Sequence, residues 1–240
     1  MITLAMDLAT DRMSVAARAS DGAMARRHLV GARGHARSLL PLLDEVLAEL
    51  GASVSEVSRV IVADGPGSFT GLRVAAAVAK ALSRAGEVTL AVTPSLLGRA
   101  ARVAPAGGGL VLSTSAALRG EVYAGWYRFG PGGSVERVRD AEASTWDQVC
   151  AGPKPDLVAG DGPDGFLESL GRLWGVPVVV REGAHADAGA LLALDDQPGG
   201  TANVQSPAAW EPTYGRPAEA QAKWEREHGR ALPDSPGTPG

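Results

Sequence analysis

The stretch VIVADGPGSFTGLRVAAAVAKAL, residues 60–82, joins an apolar run to an alanine-rich run through a glycine-containing loop. The apolar run is typical of a buried strand, and the alanine-rich run is typical of a helix. Gly65 and Gly67 permit a turn or a close backbone approach between them, and Ser68 or Thr70 can cap the helix. This order predicts a strand, a capped turn and a closely packed helix.

The loop departs from three known glycine motifs. A P-loop requires a lysine after its last glycine, but Leu72 follows Gly71. A dinucleotide-binding fingerprint requires a glycine where Thr70 stands, and a nucleophile elbow around Ser68 requires glycines in place of Pro66 and Thr70. Unpaired amides at the start of a helix suit an anion, so a capped turn and an anion-binding loop both remain open.

Hydrophobic patterning on either side of this stretch repeats one order of elements twice. The first half predicts strands at 2–8, 12–19, 23–32, 57–64 and 88–93, and helices at 36–50, 70–84 and 95–103. The second half predicts strands at 110–116, 120–129, 134–141, 155–161 and 176–182, and helices at 145–150, 164–174 and 186–194. Three antiparallel strands followed by alternating helices and strands form an RNase H-like lobe. Two such lobes make the actin-like ATPase architecture, an α/β fold with mixed sheets and flanking helices.

The predicted domain limits follow this repeat. A first lobe spans residues 1–104, a smaller second lobe spans 105–200, and the glycine-rich residues 104–109 form the hinge. Residues 201–230 form a C-terminal segment with a short helix starting at Pro217. Residues 231–240, rich in proline and glycine, are predicted to be disordered.

Composition narrows the class of protein. The chain of 240 residues has a net charge of −4, and its arginines are scattered, so it is a poor candidate for binding nucleic acid by itself. The single Cys150 excludes an intrachain disulfide and is compatible with a reducing compartment. The start of the chain lacks the features of a signal peptide, and no apolar run reaches membrane-spanning length. A cytoplasmic protein is expected.

The predicted helix at 36–50 has one aliphatic face, formed by Leu39, Leu42, Leu43, Val46, Leu47 and Leu50. This face is larger than packing on a small lobe requires, so it predicts either an exposed docking surface or a core face. Pro41 is tolerated best near a helix start, so the regular helix is expected to begin late.

Several stretches together resemble the bacterial TsaB (YeaZ) family. The most specific is DGPGSFTGLRVAAAVAKAL, and the others are AMDLATDRMSVA, HARSLLPLLDEVL, RGEVYAGWY, AGDGP and EPTYGRPAEA. The resemblance spans residues 1 to about 220. It implies the two-lobed actin-like ATPase (ASKHA) fold and a role in making N6-threonylcarbamoyladenosine at position 37 of tRNAs that read codons starting with adenine. In bacteria the transfer of the threonylcarbamoyl group is assigned to TsaD, a paralogue of this family that binds a metal and the threonylcarbamoyl adenylate.

The resemblance also implies what this chain lacks. In TsaD an H-x-x-x-H pair holds the metal, and Pro94 and Gly98 occupy the corresponding positions here. The four histidines show no metal spacing. Leu8 and Ala9 stand where the family usually has hydroxyls. We therefore expect no metal, no cofactor and no catalytic residue on the isolated chain, with a degenerate phosphate-facing site at Asp7, Thr10, Gly65, Gly67, Ser68 and Thr70.

The expected working surface is a pair of helices. The resemblance implies a heterodimer with TsaD, a larger assembly with the small ATPase TsaE, and a homodimer through the same helices, with ATP and metal belonging to the partners. The expected interface residues are Leu39, Leu42, Leu43, Val46, Leu47, Gly71, Arg73, Ala76 and Lys80. The predicted function is a noncatalytic subunit that binds and stabilises TsaD, with tRNA reached only indirectly. The alternatives are a self-sufficient ATP-dependent kinase or carbamoyltransferase of the actin-like group, and a peptidase.

Overall fold

The structure is a computed structural model that describes residues 1–31, 35–117, 120–180 and 185–215. The first half contains β1 (Ile2–Asp7), β2 (Arg12–Ala19), β3 (Met24–Val30), α1 (His35–Glu49), β4 (Val57–Ala63), α2 (Phe69–Ala85), β5 (Thr89–Thr93) and α3 (Ser95–Val103). The second half contains β6 (Gly109–Ala116), β7 (Val122–Phe129), β8 (Val135–Ser144), α4 (Trp146–Cys150), β9 (Leu157–Gly160), α5 (Phe166–Trp174), β10 (Val178–Val180), α6 (Ala188–Asp195) and β11 (Ala202–Asn203). The predicted elements are confirmed, except that the short β11 was not predicted and the expected helix from Pro217 lies outside the described residues.

Both halves form a mixed sheet of the same topology. The first sheet has the order β11-β5-β4-β1-β2-β3, and the second has the order β10-β9-β6-β7-β8. In each sheet three strands run antiparallel as a meander. A fourth strand pairs in parallel with the first of them, and a fifth pairs in parallel with the fourth. Parallel neighbours need a helical crossover, which α2 and α5 provide. This topology confirms the two RNase H-like lobes of the actin-like ATPase fold.

The two lobes exchange one helix each. Helix α3 packs through Leu96 and Leu97 into the core of the second sheet, whereas α6 packs through Leu191 against Ala5 and Ile61 of the first sheet. β11, from the predicted C-terminal segment, extends the first sheet. The predicted lobe limits 1–104 and 105–200 therefore need correction. They follow the order of the chain, whereas α3 packs in the second lobe and α6 and β11 pack on the first.

The aliphatic face of α1 is core. Leu39 and Val46 are fully buried, Leu43 and Leu47 nearly so, and Leu42 packs against the same cluster from its margin. The side chains they meet come from the strands of the first sheet, for example Leu4 and Val15. The expectation that this face is an exposed docking surface is wrong, because a six-stranded sheet is wide enough to cover it entirely.

Two smaller findings complete the fold. Helix α1 continues from His35 through Pro41, so the expected late start is wrong. Pro41 points to solvent, where the Arg37 carbonyl that loses its helical partner can be hydrated. Among the helices of the described ranges, none has the length and apolar character needed to cross a membrane.

Candidate functional site

The glycine loop between β4 and α2 is closed by hydrogen bonds within the protein. The Ser68 hydroxyl accepts a hydrogen bond from the Gly71 amide at 3.2 Å, which confirms the predicted cap. The Ser68 amide donates to the Ala9 carbonyl at 2.7 Å, and the Gly65 amide donates to the Ser95 hydroxyl at 3.0 Å. These three amides are therefore engaged inside the chain. Thr70 is exposed in the first turn of α2.

The glycines of the loop are needed for close approach between backbones. A Cβ at Gly67 would lie 2.3 Å from the Ala9 carbonyl oxygen, and one at Gly71 would lie 1.9 Å from the Leu8 carbonyl oxygen. Gly65, at φ +111°, would place a Cβ 1.9 Å from the Thr213 carbonyl oxygen. Real Cβ atoms do not come this close to backbone oxygens, so residues 65–71 are pressed directly onto residues 8–9 and 213. The loop is therefore a site of close backbone packing, the packing joint, between residues 65–71 and residues 8–9 and 213.

Asp7 ends β1 beneath this joint. It is 1% exposed, and its carboxylate accepts a hydrogen bond from the Ala9 amide at 3.0 Å. Burial raises the pKa of Asp7 to about 6, and Asp187 adds to the rise, while the Ala9 amide and Arg99 oppose it. The carboxylate orders the turn after β1. Thr10 closes the same turn, because its hydroxyl bonds both to the amide and to the carbonyl of Arg12.

A cleft of about 380 Å³ lies between the two lobes, lined by Thr10, Asp11, Arg12, Val30, Arg99, Asp161 and His185. Arg99 of α3 is almost fully buried, pairs with Asp161 at 3.2 Å and donates to the Thr114 carbonyl. Asp161 also accepts the Ala116 amide at 2.5 Å. Asp161 is therefore a turn residue that ties the end of β9 to β6 and to α3.

The comparisons with known proteins agree with this architecture. Residues 29–153 match the family model described as TsaD, tRNA N6-adenosine threonylcarbamoyltransferase. The chain is 26% identical over 228 residues to the tRNA threonylcarbamoyladenosine biosynthesis protein TsaB of Bacillus subtilis, covering 93% of this chain and 98% of that one. It is 32% identical to TsaB of Escherichia coli over 124 residues, 51% of this chain and 53% of the other. YeaZ from Pseudomonas aeruginosa superposes with a TM-score of 0.67 at 28% identity, over 82% of this chain and 92% of that one.

The chain belongs to the TsaB (YeaZ) family. The match of its middle part to a TsaD model is the relationship expected between paralogues. The signature loop of the TsaB family is the joint described above, and the curated relatives carry the name of the biosynthesis pathway rather than that of a catalytic activity.

Pro94 and Gly98, which the resemblance aligns with metal-binding histidines, have no side chain that can ligate a metal. Pro94 precedes α3, and Gly98 lies in its middle facing α6. A Cβ at Gly98 would lie 2.8 Å from Cδ2 of Leu191, so the space that an imidazole would need is filled. Within the described ranges, no group of three or more histidine, cysteine, aspartate or glutamate side chains is arranged to hold a metal ion.

Two residues expected at the rim of the partner interface are engaged by the TsaB chain itself. Lys80 pairs with Glu211 at 2.7 Å. Arg73 stacks over the Phe69 ring at 4.3 Å and lies 3.4 Å from the Tyr214 hydroxyl. Gly71 and Ala76 are buried against the first lobe. The expected set therefore needs correction, since only Arg73 remains widely exposed.

The exposed part of the two helices is a different set of residues. Leu40 of α1 is 57% exposed. It lies on the side of α1 opposite Glu45 and Glu49, which pair with Arg27 of β3. This is the side toward α2, where Ala77 and Ala81 are exposed and Val74 and Val78 are half-buried. The interface residues expected on α1 lie instead on its buried face, because the core face of an amphipathic helix is the more apolar one.

Proposed function

We propose that this TsaB chain is a noncatalytic subunit of the complex that forms N6-threonylcarbamoyladenosine at position 37 of tRNAs reading codons that start with adenine. It acts by binding and stabilising TsaD, and TsaE joins the larger assembly. tRNA reaches the assembly through TsaD, since the net charge of −4 disfavours direct binding. The role in this biosynthesis is inferred from membership of the TsaB family. The noncatalytic role of this chain beside TsaD is inferred from its glycine loop and from Gly98.

The observation that carries the proposal is the state of the glycine loop. A loop that binds phosphate presents backbone amides to the ligand. Here the amides of Gly65, Ser68 and Gly71 donate hydrogen bonds to oxygen atoms of the protein. The backbone of residues 8–9 also lies against the loop. Nucleotide phosphates would have to break this packing. The filled space at Gly98 likewise supports the absence of metal chemistry on this chain.

The docking surface that we propose consists of the exposed sides of α1 and α2. Leu40, Val74, Ala77 and Ala81 line it, and Arg73 lies beyond it on α2. Small side chains allow another pair of helices to approach closely, and the exposed Leu40 adds apolar area that such a contact would bury. The occupant is the equivalent helix pair of TsaD. A second copy of this chain would use the same surface, so the homodimer competes with the heterodimer.

The test is copurification with the cognate TsaD, followed by reconstituted tRNA modification with TsaE, ATP and limiting TsaD. Leu40→Glu and Ala77→Glu should each reduce TsaD binding at least about tenfold, because a charge must be desolvated in the contact. The matched control is Leu173→Glu on α5, since Leu173 is 55% exposed but lies on the other lobe. Product yield should fall with Leu40→Glu and stay at the wild-type level with Leu173→Glu.

Two results would overturn the proposal. Undiminished product without this chain would remove its supporting role. Turnover of ATP by the isolated chain, abolished by Asp7→Asn, would favour the alternative of a self-sufficient ATP-dependent enzyme. Equal loss of binding with Leu40→Glu and Leu173→Glu would leave the accessory role standing but refute the proposed surface.

A further inference from the structure

The chain after β11 returns along α2 and reaches the glycine loop. Val204 donates its amide to the Leu90 carbonyl at 2.8 Å, which continues the pairing of β11 with β5. Val204 and Trp210 then pack against the core of the first lobe. Residues 210–215, here called the clasp, follow from that anchor. Pro212 in the middle of the clasp is buried.

The clasp is attached to the outer side of α2 by its side chains. Glu211 accepts a hydrogen bond from Lys80 at 2.7 Å, and the Lys80 ammonium lies 5.9 Å from the Trp210 ring. The Tyr214 ring packs at a tilt against Phe69 with 4.7 Å between centroids, and its hydroxyl lies 3.3 Å from Glu211. These contacts are partly exposed, so each alone contributes little. Together they hold the clasp along α2 from Phe69 to Lys80.

The clasp is attached to the glycine loop by its backbone. The Thr213 amide donates to the Asp64 carbonyl at 2.7 Å. The Thr213 carbonyl oxygen lies so close to Gly65 that a Cβ there would be 1.9 Å away. The loop is therefore enclosed between residues 8–9 on one side and Thr213 on another. Its conformation therefore depends on the clasp as well as on β4 and α2.

The end of the clasp touches both lobes. Gly215 has a φ of +73°, and a Cβ on it would lie 2.7 Å from Pro66 and also 2.7 Å from Cε1 of Tyr123. Pro66 belongs to the glycine loop of the first lobe, and Tyr123 is a buried residue of β7 in the second sheet. Gly215, although exposed, thus lies between the glycine loop and the second lobe, where a Cβ would clash with both.

We propose that residues 210–215 form a clasp that holds the glycine loop, the start of α2 and the second lobe in one arrangement, and that releasing it lets the loop open and the lobes move. The backbone hydrogen bond from Thr213 to Asp64 holds the loop within the first lobe. The contact of Gly215 with Tyr123 reaches the second lobe and adds to the packing of α3 and α6 between the lobes. This inference does not rest on the proposed function, since it concerns the monomer.

The test is hydrogen exchange of the full chain, read on peptides covering residues 64–72 and 120–127. Gly215→Ala adds a methyl group between Pro66 and Tyr123, and it should speed exchange in both peptides about tenfold or more, because local opening becomes easier. The matched control is Gly51→Ala, since Gly51 also has a positive φ, +62°, but nothing lies within 4 Å of its Cβ position. The control should leave both peptides at wild-type protection.

A second variant keeps the test independent of the glycine. Lys80→Gln removes the ion pair with Glu211 at the surface, and it should speed exchange of residues 64–72 about twofold to threefold without altering residues 2–7 of β1. Wild-type protection of residues 64–72 in both Gly215→Ala and Lys80→Gln would overturn the proposal. Equal acceleration in Gly51→Ala, or acceleration that extends to β1, would also overturn it, because the effect would then be global destabilisation.

Discussion

The carbonyl oxygen of Leu8 lies against the Cα of Gly71, so close that a Cβ there would be 1.9 Å away. Leu8 follows the first strand of the chain, and Gly71 lies in the first turn of α2. The signature loop of the family is thus fastened to the start of the chain by backbone contact. This contact explains why the loop contains glycines although its amides are bonded within the protein.

Gly71→Ala should destabilise the protein by about 2 kcal/mol or more, although alanine favours helix by about 1 kcal/mol over glycine. The added methyl group meets a backbone oxygen, which cannot move aside as a flexible side chain can. Urea denaturation monitored by circular dichroism measures the change. Gly86→Ala is the control, because its Cβ would have only Val88 at 3.8 Å. A neutral Gly71→Ala would contradict the packing-joint interpretation.

Leu43→Ala and Leu40→Ala should separate core from surface on α1. Leu43 is 5% exposed within the core of the first lobe, so its truncation should cost about 2–5 kcal/mol of unfolding free energy. Leu40 is exposed, and its truncation should change stability by no more than about 0.5 kcal/mol. Both variants can be measured by chemical denaturation under one set of conditions. Equal losses of unfolding free energy in the two variants would mean that α1 packs on the sheet through a different face.

Asp7→Asn should become more stable relative to the wild type as pH rises. The pKa of Asp7 in the folded protein is about 6, above its ordinary value of 3.8, so the native state binds more protons than the unfolded state between these values. Wild-type stability attributable to Asp7 is present below pH 4 and is lost as pH rises through about 6. The difference from the variant should reach on the order of 2–3 kcal/mol at pH 7.

Paired thermal or urea denaturation from pH 4 to pH 8 measures this difference. The carboxyl group of Asp64, whose pKa is also raised to about 6 by burial, is present in both proteins and cancels in the comparison. Curves that stay parallel across the range would show that the Asp7 carboxylate is hydrated in the folded state.

Gly98→His should destabilise the protein by about 1–3 kcal/mol and confer no metal binding. The imidazole would be driven into Leu191 of α6, which lies 2.8 Å from the Cβ position. Leu191→Ala in the same chain should relieve part of the clash, so the double mutant should be more stable than the sum of the single effects. Additive effects would show that α3 and α6 can separate at little cost. Equilibrium dialysis with zinc or iron(II) checks the absence of metal binding.

Secondary structure and the doubled topology could be predicted because both depend on local patterns. Strands such as 2–7 and 57–63 are apolar runs, and α1 and α2 show a helical period that is independent of what they contact. The capped turn at Ser68 was equally local. The strand that was missed, Ala202–Asn203, has only two residues and exists because β5 offers it an edge.

The sequence by itself determined the two-lobed fold, the position of the glycine loop and the family. Each of these depends on patterns of residues that are close together along the chain. Only the tertiary structure decided which faces of α1 and α2 are buried, which helix each lobe receives, and that Lys80 and Thr213 belong to one clasped surface. Lys80 and Glu211 are 131 residues apart and Arg59 and Asp195 are 136 residues apart, and no periodic pattern predicts such pairs. How much of a helix face is buried depends on the width of the sheet that it covers. That width is set by all the strands of the sheet together and not by the helix sequence.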